Sequence, residues 1–217
     1  MILINFKLYK ETFGDGAIKL AKICKEVSET TGVKIIPVVT TLDAVRIKKE
    51  VGIEVIIQNV DEYIDGARTG FISAKQAQEV GVTGSLLNHS EHQIPPGKIK
   101  KILKMWPDKF ISVVCIDSLG KTERWAKNIH PDYIAYEPTY LIGDQTKSVA
   151  TEKPGAIKKI VEKYPKVPIL VGAGIHNKKD VEVSLSLGAK GILVSSGVVK
   201  AKDQKAALLE LANAFLV

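Results

Sequence analysis

Short apolar runs recur along the chain at residues 2–5, 35–39, 54–58, 84–88, 110–115, 132–136, 167–171 and 190–194. Each is apolar at nearly every position, not at alternate ones, which suits strands buried on both faces in a parallel sheet covered by helices. Between the runs, apolar residues return at three- and four-residue spacing, as in Ile18, Ala21 and Cys24 before Val27, or Ala207, Leu208, Leu211 and Phe215 near the end. That is the period of helices with one buried face. Eight repeats of strand then helix predict an α/β chain folded as a single (β/α)8 barrel around a parallel eight-stranded core. Periodicity carries no signal of closure, so an open doubly wound sheet is the alternative. The barrel makes the sharper claim, because its chemistry belongs at the C-terminal strand ends.

Local signals fit this frame. Ser73-Ala74-Lys75-Gln76 has the spacing of a capping box, Pro96 is placed to begin the helix after the fourth strand, and Asp203 is placed to cap the last helix. No Ser/Gly-rich or Pro-rich linker marks a seam, so the 217 residues are read as one domain spanning 1–217.

Composition narrows the partners. The chain carries 31 Lys and Arg against 24 Asp and Glu, a formal charge of +7. The lysines are scattered along helices, as in Lys19, Lys22 and Lys25 or Lys98, Lys100, Lys101 and Lys104. Solvated helix faces explain this better than a nucleic-acid surface, and no nucleic-acid partner is expected. The positive balance would still speed encounter with a small anion. Two cysteines, Cys24 in a helix pattern and Cys115 in a strand pattern, make neither a disulfide framework nor a metal cluster. The chain enters a core strand at Ile2, and no apolar run approaches the ~18 residues of a membrane span. A cytoplasmic location without membrane contact is expected.

Chemistry-bearing residues sit where three runs end. Asn5 and Lys7 follow Ile2-Leu3-Ile4, His89 and Glu91 follow Leu86-Leu87, and Glu137 follows Tyr133-Ile134-Ala135-Tyr136, ahead of Pro138 and a loop. Any one of these alone is more simply a structural residue. Together they supply a carboxylate base, an imidazole donor, a fixed positive charge and a neutral amide, which is what proton abstraction beside a carbonyl requires. Two further strand ends, Val171-Gly172-Ala173-Gly174 and Val194-Ser195-Ser196-Gly197, are small enough for backbone amides to approach a phosphate. They follow the seventh and eighth runs, where barrels frequently build a phosphate site.

With these motifs in order, the whole chain resembles the triosephosphate isomerase family, in its short archaeal form. The resemblance rests on Asn5-Phe6-Lys7, Gly66-Ala67-Arg68-Thr69-Gly70, Asn88-His89-Ser90-Glu91, Glu137-Pro138, Gly172-Ala173-Gly174 and Ser196-Gly197. It implies a TIM barrel isomerase of glycolysis and gluconeogenesis, without metal or cofactor, that interconverts dihydroxyacetone phosphate and D-glyceraldehyde 3-phosphate through an enediolate. Glu137 would be the base, His89 would polarise the carbonyl, and a loop from Pro138 to about Val149 would close over the substrate, as is known for the family. By the same resemblance Lys7 and Asn5 bind substrate, Glu91 supports His89, and the phosphate meets Ile142, Gly143, Gly172, Gly174, Ser195 and Ser196. The segment Gly66–Gly70 would dock into a neighbouring subunit of a homo-oligomer, tetramer ahead of dimer.

This chain departs from the family pattern at Gly143-Asp144-Gln145, where a glycine-threonine-glycine tip is usual. His92 stands where many members carry arginine, and Gly174 where many carry serine. The residues leave two other readings open. One is another phosphate-binding barrel, such as a sugar-phosphate epimerase or phosphoribosyl isomerase. The other is a barrel that binds a phosphorylated ligand without turning it over.

Overall fold

The computed structural model describes residues 1–122, 131–141 and 147–216. Eight parallel strands close on themselves in sequence order: β1 (Ile2–Asn5), β2 (Ile35–Val39), β3 (Ile56–Ile57), β4 (Gly84–Leu87), β5 (Ile111–Ile116), β6 (Tyr133–Tyr136), β7 (Ile169–Val171) and β8 (Gly191–Val194). Pairing of Ile2 with both Ile35 of β2 and Ile192 of β8 completes the ring. The open sheet is thereby excluded.

Around the ring run α1 (Asp15–Thr31), α2 (Thr41–Val51), α3 (Ala74–Glu79), α4 (Pro96–Lys104), α5 (Leu119–Thr122), α6 (Val149–Glu152), α7 (Pro154–Lys163), α8 (Lys178–Ser186), α9 (Ser196–Val199) and α10 (Gln204–Asn213). Pro96 opens α4, and the Ser73 and Asp203 side chains accept from the backbone N–H groups of Gln76 and Ala206 at the starts of α3 and α10. Two strands are shorter than their apolar runs by two residues or more. β7 begins only after Pro168, which has no N–H to give to a ladder, and β3 keeps only the residues paired to both neighbours.

Because strand side chains alternate, each doubly buried run divides into two cores. Leu3, Ile36, Val38, Ile56, Leu86, Val113, Cys115, Ala135, Leu170 and Leu193 fill the barrel interior. Their neighbours, such as Ile2 and Ile4, pack outward against the helices. Truncating one interior leucine would cost about 2–5 kcal/mol, since its neighbours belong to closed strands that cannot collapse freely.

The same alternation sets the site. Two residues beyond Leu3, Ala135, Leu170 and Leu193 stand Asn5, Glu137, Gly172 and Ser195, all at the C-terminal mouth. β4 breaks the pattern: Asn88 takes a left-handed φ of 60°. Its side chain is spent on backbone, donating to the Cys115 carbonyl at 3.0 Å and accepting from Ile94 N–H at 3.1 Å. His89 is therefore the β4 residue that reaches the mouth.

Candidate active site

Glu137 leaves the end of β6 with its N–H bonded to the carbonyl of Ile116 on β5. Its side chain is buried, as is that of His89. His89 Nε2 and Glu137 Oε2 lie 3.5 Å apart, and neither atom has a hydrogen-bond partner. A base and a donor are thus aimed at one small region.

The state of His89 follows from its other nitrogen. The backbone N–H of Glu91 donates to Nδ1 at 3.2 Å, so Nδ1 must offer a lone pair and the ring proton belongs on Nε2. The imidazole turns an N–H toward Glu137 without a hydrogen bond joining the two. Glu91 Oε2 is also 3.6 Å from Nδ1, but its other oxygen takes the Lys7 ammonium at 2.7 Å. Glu91 holds the lysine by its side chain and sets the histidine tautomer by its backbone.

Lys7 sits in a left-handed conformation, φ 50°, which an L-residue adopts at a cost of about 1–3 kcal/mol unless it is held. Two side chains hold it. Asn5 Oδ1 accepts the Lys7 N–H at 3.0 Å, and Gln58 Nε2 donates to the Lys7 carbonyl at 3.0 Å. Gln58, just past β3, has no sequence signal of its own, because its role comes from the end of β1, two strands away in the barrel. Lys7, Asn88 and Ala173 are all non-glycine residues of positive φ placed just after β1, β4 and β7, so local strain gathers at the mouth.

Burial pushes the Glu137 carboxyl above its ordinary value, and the nearby charge of Glu91 adds to the rise. His89, a hydrogen bond from the Cys115 thiol and the Lys7 charge pull it back. Cys115 lies on β5, with its register partner Ala135 two residues before Glu137. Burial, then the Glu137 charge, pushes its thiol well up, so it stays protonated and can donate.

Gly172 stands behind Glu137: a Cβ on it would overlap the glutamate side chain. Gly174, φ 70°, serves a different neighbour, since a Cβ there would meet the carbonyl of Lys147 and the backbone of Ser148. The Ser195 hydroxyl donates to the Asn5 carbonyl at 2.7 Å and ties β8 to β1, and α9 begins at the next residue. One pocket is lined by Asn5, Lys7 and Glu137 together with Gly174, Ser195 and Ser196. His176, which sequence reasoning passed over, lines it too. Ile142 and Gly143, with the altered tip Asp144-Gln145, lie outside the described residues. Among the described residues no three His, Cys, Asp or Glu side chains gather as a metal-ligand set, and no helix is long and apolar enough to cross a membrane.

Comparison with known proteins bears on the family and the fold. The triosephosphate isomerase family model matches residues 1–215. Triosephosphate isomerase of Methanothermus fervidus is 41% identical over 216 residues, covering 97% of this chain and 96% of that protein. The triosephosphate isomerase of Archaeoglobus fulgidus is 39% identical over 215 residues, covering 97% and 96%. A crystal structure of triosephosphate isomerase from Bartonella henselae superposes with a TM-score of 0.77 over 100% of this chain and 98% of that one; at 18% identity the likeness speaks for the fold. On the family match along nearly its whole length, the chain belongs to the triosephosphate isomerase family.

Proposed function

We propose that this chain interconverts dihydroxyacetone phosphate and D-glyceraldehyde 3-phosphate, with Glu137 as base and His89 as electrophile. The observation that carries the reading is the buried pair His89 Nε2 and Glu137 Oε2, 3.5 Å apart and neither with a hydrogen-bond partner. A carboxylate held this way gains basicity from burial and is positioned to take a proton from carbon. In the forward direction Glu137 removes a proton from C1 of dihydroxyacetone phosphate, and the C–H electron pair moves into the C1–C2 bond. The developing charge on the C2 oxygen accepts the Nε2–H of His89, while the Lys7 ammonium adds fixed positive potential. Movement of a proton between the two oxygens and return of the Glu137 proton to C2 complete the aldose. No redox step enters, and every proton is conserved.

The phosphate end falls to Gly174, Ser195 and Ser196, with Ile142 and Gly143 assigned there by resemblance to the family. Gly172 serves the base by making room for its side chain. Closure of the loop after Pro138 would exclude water and suppress loss of phosphate from the enediolate. A net charge of +7 suits an anionic substrate.

The assembly follows as part of the proposal: a homo-oligomer, tetramer ahead of dimer, working in the cytoplasm. Leu8 (73% exposed), Phe13 (53%) and Leu42 (92%) stand out from the segments after β1 and β2, an apolar surface of the kind a partner subunit covers. Phe71, at the end of the Gly66–Gly70 segment, packs edge-on against Tyr63, which also carries Arg68 4.5 Å from its ring centre. A coupled assay of glyceraldehyde 3-phosphate isomerisation without added metal tests the activity. Rapid turnover is expected, and folded protein without turnover would leave the phosphate-binding barrel that does no chemistry.

A further inference from the structure

His176 follows β7 and belongs to none of the motifs that carry the family resemblance, yet it lines the same pocket as Lys7, Glu137 and Ser195. Its main chain is fixed by Asp180, a carboxylate only 3% exposed. Asp180 Oδ2 accepts the His176 N–H at 2.9 Å, and Oδ1 accepts the Ser148 hydroxyl at 2.7 Å. The carboxylate therefore ties the segment after β7 to the chain entering α6. The imidazole itself is lightly held. Its Nε2 lies 3.4 Å from the Lys147 carbonyl, at the outer limit of a hydrogen bond and cheap to exchange for a better partner.

Position in the pocket indicates what that partner is. Among the described side chains lining it, Lys7 and His176 are the two that can bear positive charge. Lys7 is committed to Glu91 beside the His89 and Glu137 pair, where the carbon chemistry belongs. His176 is two residues from Gly174, which lines the pocket with Ser195 and Ser196; the Ser195 hydroxyl is spent on the Asn5 carbonyl, so the neutral donors of these three are backbone amides and the Ser196 hydroxyl. We propose that His176 is a ligand of the substrate phosphate, its imidazole N–H bonding a phosphate oxygen that the neutral backbone donors alone would hold less tightly. The inference deepens the isomerase reading and rests on it. A donor to an anionic oxygen forms a charge-assisted bond stronger than one to a carbonyl, and the backbone clamp at Asp180 limits the freedom lost on binding.

The test compares wild type with His176→Ala and His176→Gln, the latter keeping an N–H donor. Binding of inorganic phosphate is followed by calorimetry, with thermal melting to confirm that each protein folds. Turnover of glyceraldehyde 3-phosphate is set against that of D-glyceraldehyde, which has no phosphoryl group. His176→Ala is expected to weaken phosphate binding about tenfold to a hundredfold, the loss of one net hydrogen bond to a charged group. Its kcat/KM is expected to fall at least fivefold more for the phosphorylated substrate than for glyceraldehyde, mostly through KM, with His176→Gln in between. Unchanged phosphate affinity in His176→Ala, an equal loss with both substrates, or no phosphate binding by the wild type would overturn the proposal. Wild type that binds phosphate but turns over neither substrate would sink the isomerase reading alone, leaving His176 to be judged by calorimetry.

Discussion

Glu137 lies across the backbone of Gly172, at a place where a methyl group on that residue would overlap the glutamate side chain. The proposed base at the end of β6 can adopt its position only because β7 ends without a Cβ facing it. Gly172→Ala is therefore expected to displace the carboxylate while the barrel still folds. Misplacing a reacting group by about 1 Å costs about 100-fold, so kcat should fall by roughly one to two orders of magnitude. Overpacking would lower stability by about 1–3 kcal/mol. Steady-state kinetics and urea titration of the variant check both, and a kcat within twofold of wild type would show that the glycine is not needed for room.

Burial raises the Glu137 carboxyl above its ordinary value in the folded chain. The folded state then holds a proton that the unfolded state has already released, so stability from this group is fully present below the unfolded value and is lost as pH rises through the folded one. Glu137→Gln removes that loss. The variant should melt higher relative to wild type at pH 8 than at pH 4, and a difference in melting temperature that does not change between those pH values would contradict the burial argument.

His89 owes its tautomer to the backbone N–H of Glu91, not to the carboxylate. Glu91→Gln keeps that N–H and should leave Nε2 as the protonated nitrogen, which nitrogen NMR of labelled histidine reads directly. The same change takes the anionic partner from Lys7, so its kinetic effect should appear mainly in KM. A proton found on Nδ1 would show that the side chain controls the ring.

Gln58 and Asn5 together hold Lys7 in its left-handed turn. Gln58→Leu removes the donor to the Lys7 carbonyl, and freeing a residue held in this region releases it to relax. A rise in KM of about fivefold to tenfold, the worth of one net hydrogen bond, is expected with smaller change in kcat. Equal losses in both would point to a broader disturbance of the mouth.

Leu42 and Phe13 are exposed at 92% and 53%. If a partner subunit covers them, Leu42→Glu together with Phe13→Glu should shift the mass seen by light scattering at micromolar concentration from oligomer to monomer. A wild-type chain that is already monomeric would refute the assembly.

What the sequence showed and what it hid divide along one physical line. The eight strands were legible because burial on both faces writes a continuous apolar run, and Asn5, His89 and Glu137 were legible because a polar side chain directly after such a run is conspicuous. Gln58, Cys115 and Gly172 were not read for what they do, because each acts on a residue at or beyond the end of a different strand. Spacing along the chain records no contact between β3 and β1, between β5 and β6, or between β6 and β7. His176 was passed over for a related reason. Its place in the pocket depends on Asp180, four residues on, and on Ser148, which approaches from the other side of β7.

If Glu137 moves the proton between two carbons, isomerisation in deuterium oxide will record the transfer. Wild type converting glyceraldehyde 3-phosphate should leave one deuterium at C1 of dihydroxyacetone phosphate, as the base exchanges its proton with solvent. Glu137→Gln should lower both turnover and deuterium incorporation by at least about 100-fold while still binding inorganic phosphate. Undiminished incorporation in the Glu137→Gln variant would contradict the account.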